Sequence, residues 1–417
     1  MFQTLSSVAA LLLGAMIMMT GNSLLALTLP LKLDAAAFAH EVVGFIMAAY
    51  FGGLWAGAVY GRRLIGAVGH IRAFAGFAGI VGAVALAYRM LFNPLIWGVL
   101  RFVSGFCVAG VFAIIESWLN ERSENKTRGQ VLSIYMIAMY AAGIAGQLLV
   151  NLWDQSEIEG FVMAAMLTLP SIVPVVLTWF EAPRLERVEP LSFRALYNAS
   201  PLAVVGSCAA GGCMSAYYGM GPVFATNAGF SVLQVTLFMS SVILGGMIFQ
   251  WPIGRISDRF DRRAVLLCVL AAVVAVCVCG VLATRAQEPF LIFIAIAMLL
   301  GGGMTTIYPI CVAQAFDHLQ RARYVAASGG LLLAYSIGAT FGPIVAAFAM
   351  GRAGPTAFFG YIAAVLVVYA GFVIYRMSAR APVPADRQAP VVAVPRMSPV
   401  GAELDPRANP ENGDETS

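Results

Sequence analysis

The sequence has 417 residues, of which 60% are hydrophobic and only 11% are charged. Soluble domains average about 25% charged residues and about 45–50% apolar ones, so the composition excludes an ordinary soluble protein and indicates an integral membrane protein. The net charge of +4 says little without the positions of the charges. We expect no nucleic-acid partner.

Twelve mostly apolar stretches follow one another along the chain, each close to the roughly 20 residues that cross a bilayer as a helix. They cover approximately residues 5–29, 41–61, 73–91, 95–118, 129–152, 159–180, 200–225, 232–253, 264–284, 289–314, 324–350 and 355–376. We therefore predict an all-α integral membrane protein with 12 transmembrane helices. All seven cysteines fall within apolar stretches, so we interpret them as buried apolar residues and expect neither disulfides nor a metal site.

The longest internal connection divides the twelve stretches into six and six. The predicted organisation is an N-terminal six-helix bundle (1–181), a cytoplasmic linker (182–199) and a C-terminal six-helix bundle (200–377). Residues 378–417 are rich in proline, alanine and polar residues, which predicts a disordered cytoplasmic tail without a role in transport.

The distribution of lysine and arginine predicts the orientation in the membrane. Loops after the even-numbered spans, together with the linker and the end of span 12, hold 17 of these residues, against four in the opposite loops: Lys32, Arg89, Arg285 and Arg352. Because cytoplasmic loops carry the excess of Lys and Arg, we expect a multi-pass protein of the inner (plasma) membrane with both termini in the cytoplasm.

The two halves show a weak internal repeat. Three residues of span 5 have identical counterparts 195 positions later in span 11: Arg128, Tyr140 and Gly143 match Arg323, Tyr335 and Gly338. This offset agrees with the division into six and six spans and favours two six-helix pseudo-repeats.

The loop between spans 8 and 9 carries the most specific motif. It reads Gly-Arg-Ile-Ser-Asp-Arg-Phe-Asp-Arg-Arg and resembles the G-x-x-x-D-R-x-(G/D)-R-(R/K) signature of the Major Facilitator Superfamily at Gly254, Asp258, Arg259, Asp261, Arg262 and Arg263. The resemblance implies a twelve-helix transporter fold in which this loop acts as a hinge and latch for gating. The copy after span 2 is degenerate, because Gly66 and Ala67 stand where the acid and the first arginine are expected.

Span 4 contains two charged residues of interest. Arg101 lies inside the span and starts a stretch similar to the R-x-x-x-G motif of this superfamily. A charge within a membrane is costly and marks a functional candidate, although Arg101 could alternatively snorkel to the outer headgroups. Glu116 ends the span, where we expect it to contact loop arginines; the resemblance implies a charge relay that closes the cytoplasmic side.

Several short segments are similar to the YcaD-like branch of the superfamily. They are residues 69–72, 116–120, 128–129, 135–136 and 146–149. This finer resemblance does not identify a cargo.

The resemblance implies a central cavity surrounded by spans 1, 4, 7 and 10. Besides Arg101, the candidate substrate-binding residues are Asn22, Met214, Tyr217, Tyr218, Thr306 and Tyr308, with Gln147 added from span 5. Each of them could instead be a packing residue. The inferred cavity is apolar, aromatic and lightly polar.

No acidic residue lies at the middle of these four spans, although proton-coupled transporters commonly use one there. Glu116, Asp34 or Glu41 could couple a proton, coupling could be indirect, or the protein could be a uniporter. The sequence has no phosphate-binding loop and no H-E-x-x-H or nucleophile-elbow motif, so we predict neither an enzyme nor a cofactor.

These observations predict a secondary active transporter that works by alternating access. We favour export of an amphipathic small molecule, with H⁺ as the candidate coupling ion. The alternatives are an importer of a small organic anion, motivated by Arg101, and a non-transporting membrane sensor or scaffold. The expected partners are the small-molecule substrate and the lipid bilayer, and we expect a monomer.

Overall fold

The computed structural model describes residues 2–123, 127–153, 159–177 and 191–379, with side chains from residue 9 onward. It also describes residues 383–384, 388–392, 398, 405 and 407 of the C-terminal segment. Most of the predicted linker and much of the predicted tail therefore lie outside the described residues.

The described chain is built of helices. Their bounds are α1 Phe2–Ala35, α2 His40–Val68, α3 His70–Met90, α4 Pro94–Arg122, α5 Arg128–Leu149, α6 Glu159–Thr168, α7 Ile172–Val176, α8 Phe193–Ala199, α9 Pro201–Asn227, α10 Val232–Ser257, α11 Arg262–Ala286, α12 Phe290–Phe316, α13 Tyr324–Ala353 and α14 Ala357–Ala379. Several helices continue past the predicted apolar stretches, because a hydropathy window ends where polar residues begin whereas the helical hydrogen bonds continue.

Eleven helical segments within the described residues are long and apolar enough to span a membrane, and the bent pair α8–α9 raises the number to twelve if it counts as one span. The two helices of this pair meet at an angle of 110°, at Ser200 and immediately before Pro201. Proline cannot continue the hydrogen bonding of a preceding helix, so the chain turns there. Short α8 thus occupies part of the predicted linker.

The sixth span is broken, where the sequence predicted one continuous helix over 159–180. Helix α6 ends at Thr168 and α7 begins at Ile172, with Pro170 between them. Proline lacks the N–H that a helix interior needs and its ring clashes with the preceding turn, which explains the break.

Within each half, two helices approach each other closely at a glycine residue. A Cβ on Gly105 of α4 would collide with the Tyr50 carbonyl of α2, and a Cβ on Gly338 of α13 would collide with the Cys208 carbonyl of α9. Glycine allows these backbones to approach closely, as is common where membrane helices pack. The α2–α4 and α9–α13 pairs are thus closely packed, one pair in each half.

The halves meet along α1–α9, α2–α13 and α5–α10. We call the end of the bundle that holds the loop 254–263 the arginine-rich end, and the end that holds the α1–α2 connection the opposite end. Residues 388–392 and 398, which belong to the segment predicted to be a disordered tail, contact the arginine-rich end.

Candidate functional site in the central cavity

A cavity of about 220 Å³ lies between the two halves. Residues of α1, α2, α4 and α5 line it from one side, and residues of α9, α10, α12 and α13 line it from the other. It extends from Arg101 towards the arginine-rich end as far as Phe112 and Tyr135. Ligand pockets commonly measure about 300–1,000 Å³, so this cavity suits a small ligand.

The lining is mostly apolar and contains many methionines and tyrosines. The methionines are Met19, Met47, Met136, Met139, Met214 and Met239, and the tyrosines are Tyr50, Tyr135, Tyr140, Tyr218 and Tyr335. Methionine adapts its shape to different ligands, and tyrosine combines an apolar ring with one polar tip. The lining is therefore an adaptable apolar surface with a few polar tips.

Arg101 provides the charge in this lining. Its side chain is 1% exposed, and its Nε and Nη1 atoms have no hydrogen-bond partner among the described residues. Its polar and aromatic neighbours interact weakly with it: the Met47 sulfur lies 3.9 Å from Nη2, and the Tyr50 ring centroid lies 4.5 Å from the guanidinium carbon. No described carboxylate lies within 4.0 Å of Arg101, so a buried positive charge faces the cavity without an anion.

Asn22 and Tyr50 complete the polar part of the cavity next to Arg101. The Asn22 amide Nδ2 donates to the Tyr50 hydroxyl at 3.2 Å, while the Asn22 Oδ1 has no partner in the part of the chain that the structure describes. Buried polar groups without partners are costly, and a ligand that pairs with them removes that cost. This corner therefore offers guanidinium donors and one carbonyl acceptor to a ligand.

Five of the eight candidate substrate-binding residues line the cavity: Asn22, Arg101, Gln147, Met214 and Tyr218. Their predicted contact with a substrate stays a prediction. Gln147 also accepts a hydrogen bond from Ser240 of α10 at 2.8 Å, which joins the two halves beside the cavity.

Tyr217, Thr306 and Tyr308 do not line the cavity, and this corrects the prediction for them. Tyr217 packs on Phe238 and donates to the Phe238 carbonyl at 2.9 Å. Thr306 donates to the Gly303 carbonyl at 2.7 Å, and Tyr308 is buried among other helices. Successive residues of a helix point about 100° apart, so the neighbours Tyr218 and Thr305 face the cavity instead.

The prediction missed several lining residues from helices outside the four expected spans. Tyr140 and Tyr335 both line the cavity, and they are one of the three pairs that the 195-residue repeat matches. A polar residue repeated at equivalent positions of two halves is a signal that could have identified them. For Tyr50 and Met47 of α2 the sequence offered no such signal.

Hydrogen bonds between the halves close the opposite end. Asp34 of α1 accepts from the Thr226 hydroxyl at 2.6 Å and from the Asn227 amide at 3.1 Å, both at the end of α9. Asn151 donates to the Thr236 hydroxyl at 3.1 Å across the same interface. These bonds join the two halves at this end and would have to break for the halves to separate there.

The motif loop at the arginine-rich end forms a buried charge cluster. Arg262 is 1% exposed, and its Nε lies 2.9 Å from the Oδ2 of the buried Asp317; its Nη1 lies 3.8 Å from the Oδ1 of Asp258. Asp261 caps α11 and pairs with Arg263 at 3.0 Å, whereas Arg259 is exposed. These contacts lie within the C-terminal half and fix the α10–α11 turn to the end of α12.

The surroundings shift the acidity of two of these carboxyl groups in opposite directions. Burial raises the pKa of Asp317, and the positive charge of Arg262 offsets only part of that effect. For Asp261, partial burial raises the pKa, but the hydrogen bonds and charge of Arg263 outweigh it and leave the pKa lower than usual.

Glu116 lies beyond the cavity towards the arginine-rich end and is fully buried. Its Oε1 accepts a hydrogen bond from Tyr135 at 3.1 Å, and its Oε2 accepts one from Ser398. Because Tyr135 also lines the cavity, one hydrogen bond connects this carboxyl to the cavity wall.

The sequence profile of the Major Facilitator Superfamily matches residues 11–251 and again residues 203–406. The MFS-type transporter YcaD of Shigella flexneri is 28% identical over 364 residues, which cover 87% of this chain and 94% of that protein. YcaD of Escherichia coli (strain SE11) is also 28% identical, over 366 residues and with the same coverage.

Two solved structures share the fold. A crystal structure of the nucleoside transporter NupG is similar with a TM-score of 0.68 at 14% identity, and the match covers 89% of this chain and 98% of that one. An inward-facing, unoccupied bacterial homologue of the human lysosomal transporter Spinster is similar with a TM-score of 0.65 at 13% identity, covering 98% and 99% of the two chains. At these identities the similarity establishes the fold and not the cargo.

Proposed function

The chain belongs to the Major Facilitator Superfamily, and from this premise we propose that it is a secondary active transporter of small amphipathic organic anions. The two halves rock about the central cavity and expose it alternately to either side of the membrane, as is general for this architecture. The observation that carries the proposed cargo class is the buried guanidinium of Arg101, which faces an apolar cavity without a described carboxylate partner.

The two parts of the cavity correspond to the two parts of such a cargo. A carboxylate or similar group accepts hydrogen bonds from the free Nε and Nη1 of Arg101, which pair well with planar anions. The apolar body of the cargo packs on the methionines and tyrosine rings. A neutral amphipathic compound would leave the buried charge unpaired, and a fully polar anion would leave the apolar wall uncovered.

We propose export as the net direction, from the cytoplasm through the inner membrane. Amphipathic compounds partition into bilayers unaided and therefore require expulsion more than uptake. The charge of Arg101 equally suits an importer of a small organic anion, which is the second candidate. Both candidates use the arginine-rich end as the cytoplasmic end, with both termini on that side.

A flux measurement tests the proposed transport. Purified protein in sealed vesicles of defined orientation would be presented with a panel of matched compounds: an aromatic carboxylate, its methyl ester and its amine analogue. We expect flux of the carboxylate alone, in the direction that marks export. Flux in the opposite direction would identify the importer, whereas binding without flux of any compound would identify a sensor or scaffold.

Replacing Glu116 by Gln should remove the dependence of carboxylate flux on a pH gradient while leaving binding in place. Glu116 is a fully buried carboxyl joined to the cavity wall through Tyr135, and no acidic residue lies in the described cavity lining. A buried carboxyl next to a transport path is suited to carry a proton. Flux would be measured with and without an imposed pH gradient. Glu288→Gln, which neutralises an exposed carboxyl in the α11–α12 connection, is the control; an unchanged pH response of Glu116→Gln would exclude Glu116 as the proton carrier.

A further inference from the structure

The C-terminal segment binds the acidic and basic residues of the motif loop. The Val391 N–H donates to the Asp258 Oδ1 at 2.8 Å, and the Ala389 N–H donates to the Asp317 Oδ1 at 2.7 Å. Arg262 in turn donates from Nη2 to the Ala389 carbonyl at 2.7 Å. Three backbone groups of the segment thus pair with charged side chains of the C-terminal half, and such charge-assisted bonds are the stronger kind.

The same segment also contacts the N-terminal half. Val392 packs against the buried apolar cluster formed by residues 11–175. Ser398 is 1% exposed and donates a hydrogen bond to the Oε2 of Glu116 at the end of α4. Further along, Arg407 lies over the Phe316 ring, with its guanidinium carbon 4.6 Å from the centroid, and pairs with the buried Asp405. The described residues of the segment therefore touch both halves at one end of the molecule.

We propose that tail residues 388–392 and Ser398 form a strap that binds both halves at the arginine-rich end and restrains the opening and closing of that end. We keep the name strap for these residues. Alternating access moves the two halves relative to each other. Val391 is bonded to Asp258 of the C-terminal half and the adjacent Val392 packs against the N-terminal half, so separation of the halves at this end must break one of these contacts. The strap consequently stabilises one state and slows its exchange with the other.

The strap also reaches the cavity wall through a short chain of hydrogen bonds. Glu116 accepts from Ser398 with one carboxylate oxygen and from Tyr135 with the other, and Tyr135 lines the cavity. A cargo that displaces the Tyr135 hydroxyl would therefore change the acceptor to which Ser398 is bonded. This arrangement lets the cavity and the strap influence each other.

Docking of the strap is tested by a disulfide in the full-length protein. A Cβ placed on Gly254 would lie 3.5 Å from the Cβ of Val391. Disulfides have Cβ–Cβ distances of about 3.5–4.5 Å, so Gly254→Cys with Val391→Cys should crosslink under mild oxidation in isolated membranes. The matched control pairs Gly254→Cys with Val383→Cys, because nothing but Val391 lies within 4 Å of that position among the described residues. Mass spectrometry measures the yields, and equal yields for the two pairs would overturn the docking.

Control of access is tested with Val391→Pro, which removes the N–H bonded to Asp258. The readout is the rate at which a membrane-impermeant maleimide labels a cysteine at the cavity residue Ser336 (Ser336→Cys) from the arginine-rich end. Loss of one hydrogen bond to a charged group shifts an equilibrium by about tenfold or more, so we expect labelling at least about tenfold faster than in the parent. Val383→Pro is the control, since the Val383 N–H makes no hydrogen bond to a described residue.

The strap proposal rests on the proposed transport function, and the outcomes of these experiments distinguish the two. A selective crosslink that blocks labelling, with recovery on reduction, supports the strap. A selective crosslink with unchanged labelling in both variants overturns its control of access. Labelling that responds to Val391→Pro in a protein that moves none of the tested carboxylates would support the strap and contradict the proposed function.

Discussion

Replacing Arg101 by Met should raise the thermal stability of the cargo-free protein and weaken the binding of aromatic carboxylates by about 10- to 100-fold. The guanidinium is 1% exposed and has unpaired nitrogen atoms, so its removal relieves the cost of a buried charge, while methionine retains the volume and packs on Met47 and Tyr50. A hydrogen bond to a charged group contributes about 1.5–3 kcal/mol, which corresponds to a loss of affinity of about 10- to 100-fold.

This combination of effects distinguishes an anion site from a structural arginine. Melting of the purified protein would be followed with and without the carboxylate, because a ligand that binds only the folded state raises the melting temperature. The control is Arg352→Met, since Arg352 also stacks on an aromatic ring, with its guanidinium carbon 5.2 Å from the Phe348 centroid, but lies exposed at the opposite end. A destabilised Arg101→Met that keeps its ligand-induced shift would exclude Arg101 from the site.

Replacing Asp317 by Ala should lower the free energy of unfolding by about 3–5 kcal/mol, because it removes the nearer and fully buried carboxylate partner of Arg262 and leaves only Asp258 at 3.8 Å. The side chains of Arg262 and Asp317 are 1% and 0% exposed, and they are joined at 2.9 Å. The same change removes the acceptor of the Ala389 N–H, so it should also weaken docking of the strap. The measurement is unfolding of the detergent-solubilised protein by heat or denaturant.

Two further variants show whether the loss arises from the unpaired charge. The double variant Arg262→Met with Asp317→Leu removes both charges and should recover most of the lost stability, because apolar residues can replace a buried ion pair. Asp261→Asn disrupts a partly exposed pair with Arg263 and should cost no more than about 1 kcal/mol. Equal losses of stability for Asp261→Asn and Asp317→Ala would contradict the distinction between a partly exposed ion pair and a buried one.

The residues named as the strap make contacts that composition does not predict. A stretch rich in proline and alanine lacks the apolar residues to fold by itself, and on that ground the sequence predicted disorder. Residues 388–392 nevertheless bind to the surface of the helix bundle at the arginine-rich end. Their backbone N–H groups pair with Asp258 and Asp317, carboxylates that the bundle already holds in place. The deciding contacts join residues that are 72 and 133 positions apart, and no local pattern contains them.

The sequence by itself determined the membrane class, the two-repeat helical fold and the charged motif of the loop 254–263, whose gating role stays a prediction. These features follow from local rules, since a bilayer requires roughly 20 apolar residues for each helix and the loop motif is contiguous. The same reasoning selected Arg101 and Asn22, because polar groups inside a span are rare enough to stand out.

Only the tertiary structure decided which face of each helix meets the cavity. A rotation of about 100° separates neighbouring residues, so a small error in helix phase exchanges Tyr218 for Tyr217 or Thr305 for Thr306. A helix of this bundle is apolar on every side, because lipid and protein interior are equally apolar, and its sequence therefore carries little periodic signal for the phase. The packing of α9 on α13 and of α10 on α12 sets the rotation, and it follows from contacts distant in the chain.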